Sequence, residues 1–425
     1  MKVINNILLL IVISFLGSIK SNAQQYTFSI INKTKVERAN ELVTLMRSDM
    51  EKYAGKISNP SGYEIISGND KIVCQTADTN YDGNWDELVF LSSFKPGEKK
   101  SFKLIVTDQP VTNTAIAMAH VRMKYKQADD SFGESVTSAT MPYQNPPTDF
   151  GKQKLPPYLT EGPGWENDKV AFRLYFDTRN TIDIYGKRIP GIVMDTVGAN
   201  PANSYHNLSA WGMDILHVVK SLGAGSMAIA TKDENGKDTL IRLGGKNITK
   251  ETYQQIADGP LYAAFNMHYE WTINDKPVII NQQISIWGGQ YFYESQVTVS
   301  GAPQGSKLVS GIADFYENTA NSFHTSNTAA LLSHGRQSEN KDELGMAVLF
   351  PQNTFAFFKE APKANSDITE THLAAQNITD DQPLTFRFYS CWSSTDKKFI
   401  SIDYFKQFLH NEAEKFAMPL KVKWK

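Results

Sequence analysis

The residue types best suited to chemistry gather between positions 165 and 214: Arg173, Tyr185, Lys187, Arg188, Tyr205 and His206, with Asp214 close behind. Cations interleaved with tyrosine and histidine suit β-elimination beside a carboxylate. Taking a proton from the carbon α to a carboxylate builds negative charge on a group that is already anionic. Arginine or lysine must therefore neutralise it first. A tyrosine or histidine then removes the carbon-bound proton, and a second group protonates the departing oxygen. His206 and Tyr205 are the candidate base and acid, in either order. Lys187 or Arg188, together with Arg173, are the candidates for holding the carboxylate. A glycosidase would need two carboxylates, and Glu166, Glu270 and Glu294 could supply them, but no local pattern pairs them. The sequence holds no phosphate loop, dinucleotide fingerprint, GxSxG elbow or HExxH pair.

The elements that must position these groups read as strands. Val170, Phe172, Leu174 and Phe176 alternate with Arg173 and Tyr175, which predicts a strand with one apolar face. In the next segment Ile182 and Ile184 face one way, and Asp183, Tyr185 and Lys187 the other. Tyr205-His206 falls in a polar loop, where core packing explains a histidine poorly. Asp214 either orients a histidine or caps a turn, and His217, alternating with Ile215 and Val219, reads as a core histidine. Trp165-Glu166-Asn167 is either a sugar-stacking platform or the rim of a core. Further on, Leu261, Ala263, Phe265, Met267, Tyr269, Trp271 and Ile273 form one face of a long strand, opposite Tyr262, Asn266, His268 and Glu270. Such strands predict a sheet with a wet, sugar-sized cleft, with His268 on its opposite wall. His120, Arg122, Lys124 and Lys126 share one face of an expected edge strand, read as solvated. The Pro-, Gly- and Ser-rich stretch 129–164 is an expected loop of the kind that often serves as a lid. Residues 401–416 predict a final helix.

The 425 residues, 41% hydrophobic, suffice for a small β domain and a large one. The expected division is 1–23 as a leader, 24–112 as a small N-terminal β domain and 113–425 as the large catalytic one. Lys2, an apolar run and Ser21-Asn22-Ala23 resemble a secretory signal peptide, so export, to the periplasm or beyond, is expected. No later segment looks apolar enough to cross a membrane. The near-balanced formal charge of −2 offers no global attraction for nucleic acid. Cys74 and Cys391 fall in different expected domains and are not expected to pair. Asp78, Asn80, Asp82 and Asp86 place oxygen ligands at nearly alternate positions around Gly83. This matches part of a structural calcium loop, without its closing glutamate, or an Asx-rich hairpin turn. No cofactor is expected in catalysis, and no pattern fixes an oligomeric state.

The run Trp165-Glu-Asn-Asp-Lys-Val-Ala-Phe-Arg173, followed by Tyr185-Gly-Lys-Arg188, Tyr205-His206, Gly212-Met-Asp214 and Gly223-Ala-Gly225, resembles a domain-of-unknown-function family of Bacteroidota polysaccharide-utilisation loci. That family includes an ulvan oligosaccharide dehydratase. The resemblance covers nearly all of the chain after the leader, including the Asp-rich loop and Gly345-Met-Ala-Val348. It implies a mostly β fold, a curved antiparallel sandwich of the supersandwich, mutarotase-like type. It implies a hydro-lyase that removes water from the non-reducing-end uronic acid of a sulfated, uronate-containing oligosaccharide, leaving a 4,5-unsaturated residue. The positions carried over are Trp165, Glu166, Asn167, Arg173, Lys187, Arg188, Tyr205, His206 and Asp214. In related sequences an Asp-Asp pair runs almost directly into the Trp-Glu-Asn-Asp motif, whereas here Asp129-Asp130 is separated from it by the long loop. A polysaccharide lyase or glycoside hydrolase on an anionic polysaccharide, and a non-catalytic carbohydrate-binding protein, are the alternatives.

Overall fold

A computed structural model describes residues 24–57, 62–107 and 115–425. The expected leader, residues 1–23, lies outside the described residues. The fold is mostly β, and the strands pair antiparallel. Its centre is a nine-stranded sheet, from Ser138–Thr140 at one edge, through Ile248–Ala257, Tyr262–Ile273, Lys276–Trp287, Phe292–Ser300, Leu384–Trp392, Leu344–Pro351 and Thr328–Gly335, to Asn321–His324 at the other. The alternation in Tyr262–Ile273 sorts its side chains as expected: Ala263, Phe265, Met267, Tyr269, Trp271 and Ile273 are all buried in the main core.

Two five-stranded sheets cover that core face. One, here the site sheet, runs Gly212–Asp214, Ile182–Lys187, Val170–Leu174, Gly164–Asn167, Ala119–Arg122. The other runs Asp238–Arg242, Ala224–Lys232, Lys307–Ala313, Thr371–Asn377, Phe355–Glu360. Phe172 and Ile184 from the first, Ile229 and Ile312 from the second, and Phe265 and Met346 from the large sheet share one core. This is the expected two-layer antiparallel sandwich, with one layer made of two sheets.

The opposite face of the large sheet is not open. It carries the helix Ile402–Ala417, capped by Ser401, and the three-stranded sheet Arg38–Met46, Glu87–Phe94, Cys74–Ala77. Phe405 and Leu409 of the helix pack with Tyr389 and Cys391, and Ala77 and Val89 with Tyr262 and Trp287. Ahead of these lie the strand Arg38–Met46 and, directly after it, the helix Arg47–Ala54. The N-terminal strand also takes a partner from the far end of the chain: Val422–Trp424, expected with the large domain, pairs with Gln24–Ile31. Cys74 and Cys391 are both buried, and no disulfide joins them.

Candidate active site

The site lies where the loops of the site sheet meet residues of the 129–164 stretch. Val170–Leu174 and Ile182–Lys187 pair so that Arg173 faces Asp183 across the ladder. Arg173 has no exposed surface, and its guanidinium donates to Asp183 at 2.7 Å, to Glu161 at 3.2 Å and to the Thr160 carbonyl at 2.8 Å. It also stands 3.7 Å from Asp214. A buried cation demands such company, because an unpaired charge in the interior is expensive. Arg173 therefore cannot reach a substrate, contrary to expectation. It organises the carboxylates beneath the pocket.

Above it sits a pocket of about 410 Å³, within the range typical of small-ligand sites. Thr160, Glu161, Tyr175, Arg179, Tyr205 and His206 line it, and Phe150, Lys154, Leu155 and Pro156 of the long loop form part of its wall. Thr160 and Glu161 both hold positive φ, 48° and 65°. Left-handed backbone at two consecutive non-glycine residues is strained by a few kcal/mol in total, and it persists only where the surroundings fix it. Two arginines do so. Arg173 holds the Thr160 carbonyl, and Arg122 donates to the carbonyls of Leu159 at 2.9 Å and Gly162 at 2.7 Å and to the Thr160 hydroxyl at 2.5 Å. Glu161, thus presented, bridges Arg173 to Arg179, which it accepts at 2.7 Å. Arg179 also pairs with Asp177 and lies over the Tyr175 ring at 3.6 Å.

Tyr205 and His206 come from a loop tied to the edge strand: Asp214 N–H donates to the Tyr205 carbonyl at 2.8 Å. The Tyr205 ring packs 5.6 Å from that of the buried Tyr185. Gly198 lets the loop close, because a Cβ there would stand 2.8 Å from the Thr160 methyl and 3.2 Å from the Tyr205 ring, at φ +79°. The His206 side chain is 65% exposed, with Nδ1 3.4 Å from Oδ2 of the buried Asp214. Burial, and then the nearby Arg173, push the His206 pKa down. Burial, and then Asp183, push Asp214 well up, against Arg173. Burial also raises Tyr205, so its phenol keeps its proton at neutral pH. These three shifts put a neutral imidazole, a partner carboxyl and a protonated phenol at one pocket wall.

The remaining expected site residues are placed otherwise. Lys187 is completely buried; its ammonium pairs with Glu166 and donates to the Asn167 carbonyl at 2.6 Å. Arg188 is exposed at the strand end, donating to the Ser209 carbonyl, and does not line the pocket. Glu166, also fully buried, accepts from Val193 N and Met194 N at 2.8 and 2.6 Å. Asn167 donates to the carbonyls of Trp287 and Gln290, stitching the site sheet to the large one. Trp165 is core, stacked on Phe172 and edge-on to Tyr293. Tyr185 is wholly buried too. The Trp-Glu-Asn motif is thus scaffold rather than sugar platform. His268 lies on the outer face of the large sheet, hydrogen-bonded to Asn281 at 2.7 Å, and forms no wall of this pocket. The same outer face holds a second cavity of about 290 Å³ against the small domain, lined in part by Glu294, Arg387 and Tyr262. His217 is not a core residue: its side chain is 38% exposed and its ring packs, tilted, against Phe315. In the Asp-rich loop, Asp78 accepts from Tyr81 N and Gly83 N, Asn80 from Asp82 N, Asp82 from Asn84 N, and Asp86 from Thr79 N. That is the Asx-turn arrangement.

Sequence reasoning missed Arg122, Glu161, Tyr175 and Arg179. Arg122 was visible as one of four cations on a strand face, but nothing local said that the face is covered. Glu161 and Arg179 carry no pattern beyond charge.

Comparison with known proteins adds three findings. The profile of the family described as "Domain of unknown function (DUF4861)" matches residues 30–422. An uncharacterised protein, P7, of Formosa agariphila is 21% identical over 429 residues, covering 96% of this chain and 95% of that protein. Among solved structures, an alpha-mannosidase from Enterococcus faecalis aligns with a TM-score of 0.49 at 9% identity, over 94% of this chain. A glycosyl hydrolase family 38 protein from Enterococcus faecalis aligns with a TM-score of 0.45 at 8% identity. This chain spans about half the length of those two structures, 46% and 47%.

Proposed function

This chain belongs to the DUF4861 family, and on that premise we propose that its pocket removes water from the uronic acid at the non-reducing end of an ulvan-type oligosaccharide, leaving a 4,5-unsaturated uronyl residue. One observation carries the reading: His206 stands at the pocket wall with Nδ1 turned to a buried carboxyl and a protonated tyrosine beside it. The step requires Asp214 ionised, against the burial that raises its pKa; Nδ1 then carries the imidazole proton and Nε2 is the free base. Nε2 takes the proton from C5, α to the carboxylate. The electron pair forms the C4–C5 double bond, the C4–O bond breaks, and Tyr205 gives its proton to the departing hydroxyl, which leaves as water. Solvent then restores the proton to Tyr205 and takes the one on His206. The cations available at the wall to a uronate are Lys154 and Arg179. Arg179 is already held by Asp177 and Glu161, so Lys154 is the principal charge for the carboxylate or a sulfate.

The test is to incubate the protein with uronic-ended oligosaccharides from ulvan and follow unsaturated-uronate absorbance and product mass. The expected product is one molecule lighter by one water. The His206→Ala variant should lose roughly 10²–10⁴ in kcat, the usual contribution of a general base. Asp214→Asn should lose activity and move the acid limb of the pH profile. A mass divided between two fragments would instead indicate a lyase or hydrolase. Retention of the sugar without product would indicate a binding protein.

A further inference from the structure

Outside the pocket, the five-stranded sheet that does not carry the site brings three metal-ligating side chains together at one end. Asp314 follows the strand Lys307–Ala313, His372 is the second residue of Thr371–Asn377, and Glu360 ends Phe355–Glu360. The ladder places Glu360 directly opposite His372. One ligand atom from each of Asp314, Glu360 and His372 lies within 4.8 Å of the others.

The imidazole sets this group apart from a surface acidic cluster. The His372 side chain is only 2% exposed. Its Nδ1 lies 2.7 Å from Glu360 Oε2. Its Nε2 is buried with no hydrogen-bond partner, and the nearest carboxylate oxygen, Asp314 Oδ1, is 3.6 Å away. That is too long for a hydrogen bond. Two ligands on one tetrahedral ion at about 2.0–2.1 Å stand roughly 3.4 Å apart, close to the observed gap. A buried ring nitrogen left bare is unusual, because such groups normally find a partner.

We propose that Asp314 and His372, with Glu360 on the other ring nitrogen, bind one divalent transition-metal ion of the zinc class. Glu360 accepts from Nδ1–H, which fixes the tautomer and turns the Nε2 lone pair towards Asp314, the carboxylate–histidine–metal arrangement. Imidazole with carboxylate suits zinc, whereas calcium and magnesium prefer all-oxygen shells. The Glu360 side chain, 65% exposed, leaves a way in from solvent. The ion would tie the end of Lys307–Ala313 to Thr371–Asn377, with the edge strand Phe355–Glu360 held through Glu360, and the site shares no residue with the wall of the pocket.

The experiment uses the full chain, free of any histidine tag and dialysed against a chelator. Zinc chloride is titrated calorimetrically, and thermal melts are recorded with and without zinc. The expected result is one saturable zinc ion per chain and a raised melting temperature. Affinity should fall at least tenfold in Asp314→Asn and His372→Asn, and by roughly 10- to 100-fold in Glu360→Gln, as for other outer-shell carboxylates. Magnesium should give no comparable heat. Absence of saturable zinc binding, as a simple protonated His372 between two carboxylates predicts, would overturn the proposal. So would affinity unchanged in Asp314→Asn. If His372→Asn does not fold, the Asp314→Asn and Glu360→Gln variants, altered at partly exposed side chains, decide the matter alone.

Discussion

His120 stands between two carboxylates, with Nδ1 2.7 Å from Asp258 and Nε2 3.3 Å from Asp195. Burial opposes its charge, but the carboxylates of Asp195 and Asp258, the second hydrogen-bonded to Nδ1, outweigh burial and hold its pKa up at about 9. The folded value lies above the unfolded one. The stabilisation is therefore complete below about pH 6.5 and fades as the pH climbs through 9, worth up to about 3 kcal/mol. Denaturant melts at about pH 6 and about pH 10 should show wild type losing stability that His120→Gln lacks. Equal losses in both proteins would rule this residue out. The clamp matters to the site because Asp195 belongs to the loop that continues to Tyr205 and His206, and Lys124 holds the same carboxylate at 2.6 Å. At this scale the sequence was partly legible. Tyr205 and His206 stood out because polar types in a polar loop have few structural uses, and the fold brings them beside the buried Asp214 of the edge strand. Lys187 and Arg173 misled because alternation tells which face a side chain takes, not whether another element covers that face.

Arg122 makes the same point for elements. Alternation put it with His120, Lys124 and Lys126 on one face of an edge strand, and Ala119–Arg122 is indeed the edge of the site sheet. The face is not solvated, because the loop carrying Met194 and Asp195 lies over it. Burial, with the nearby Arg173 adding to it, brings the Arg122 pKa down to about 10, since carbonyls and a hydroxyl, not carboxylates, are its hydrogen-bond partners. Replacing it by methionine would strand the carbonyls of Leu159, Gly162 and Met194 and release the strained turn beneath the pocket. Arg122→Met should lose about 3 kcal/mol or more of stability and raise KM, because Glu161 and Arg179 would lose their setting. An unchanged melting midpoint would show that the turn holds itself. The faces of the strands in the large sheet were far easier to read than this turn, since a period of two repeats along a whole strand and a two-residue left-handed turn leaves no pattern.

For the molecule as a whole, the mostly β fold was visible in strand alternation and turn spacing, but the pairing of the last strand with the first was not. Three residues at the end of the chain are too few to announce a strand. Trp424 of that strand packs 5.0 Å from Phe28 and 5.6 Å from Tyr53, with its backbone in register with Phe28. Trp424→Ala should lower small-domain stability by roughly 2–4 kcal/mol, at or below the usual loss for a core tryptophan because this ring is only half-buried. Faster proteolysis within residues 24–107 would report it, with cleavage of the large sandwich unchanged. Unaltered digestion would show that the strand is ornamental. The same pairing sets the order of events during synthesis. Gln24–Ile31 has Lys99–Thr107 on one side and Val422–Trp424 on the other. Its first neighbour is made early and its second about three hundred residues later. A nascent chain therefore carries an open edge on Gln24–Ile31 until residues 422–424 have been made, after every strand of the sandwich.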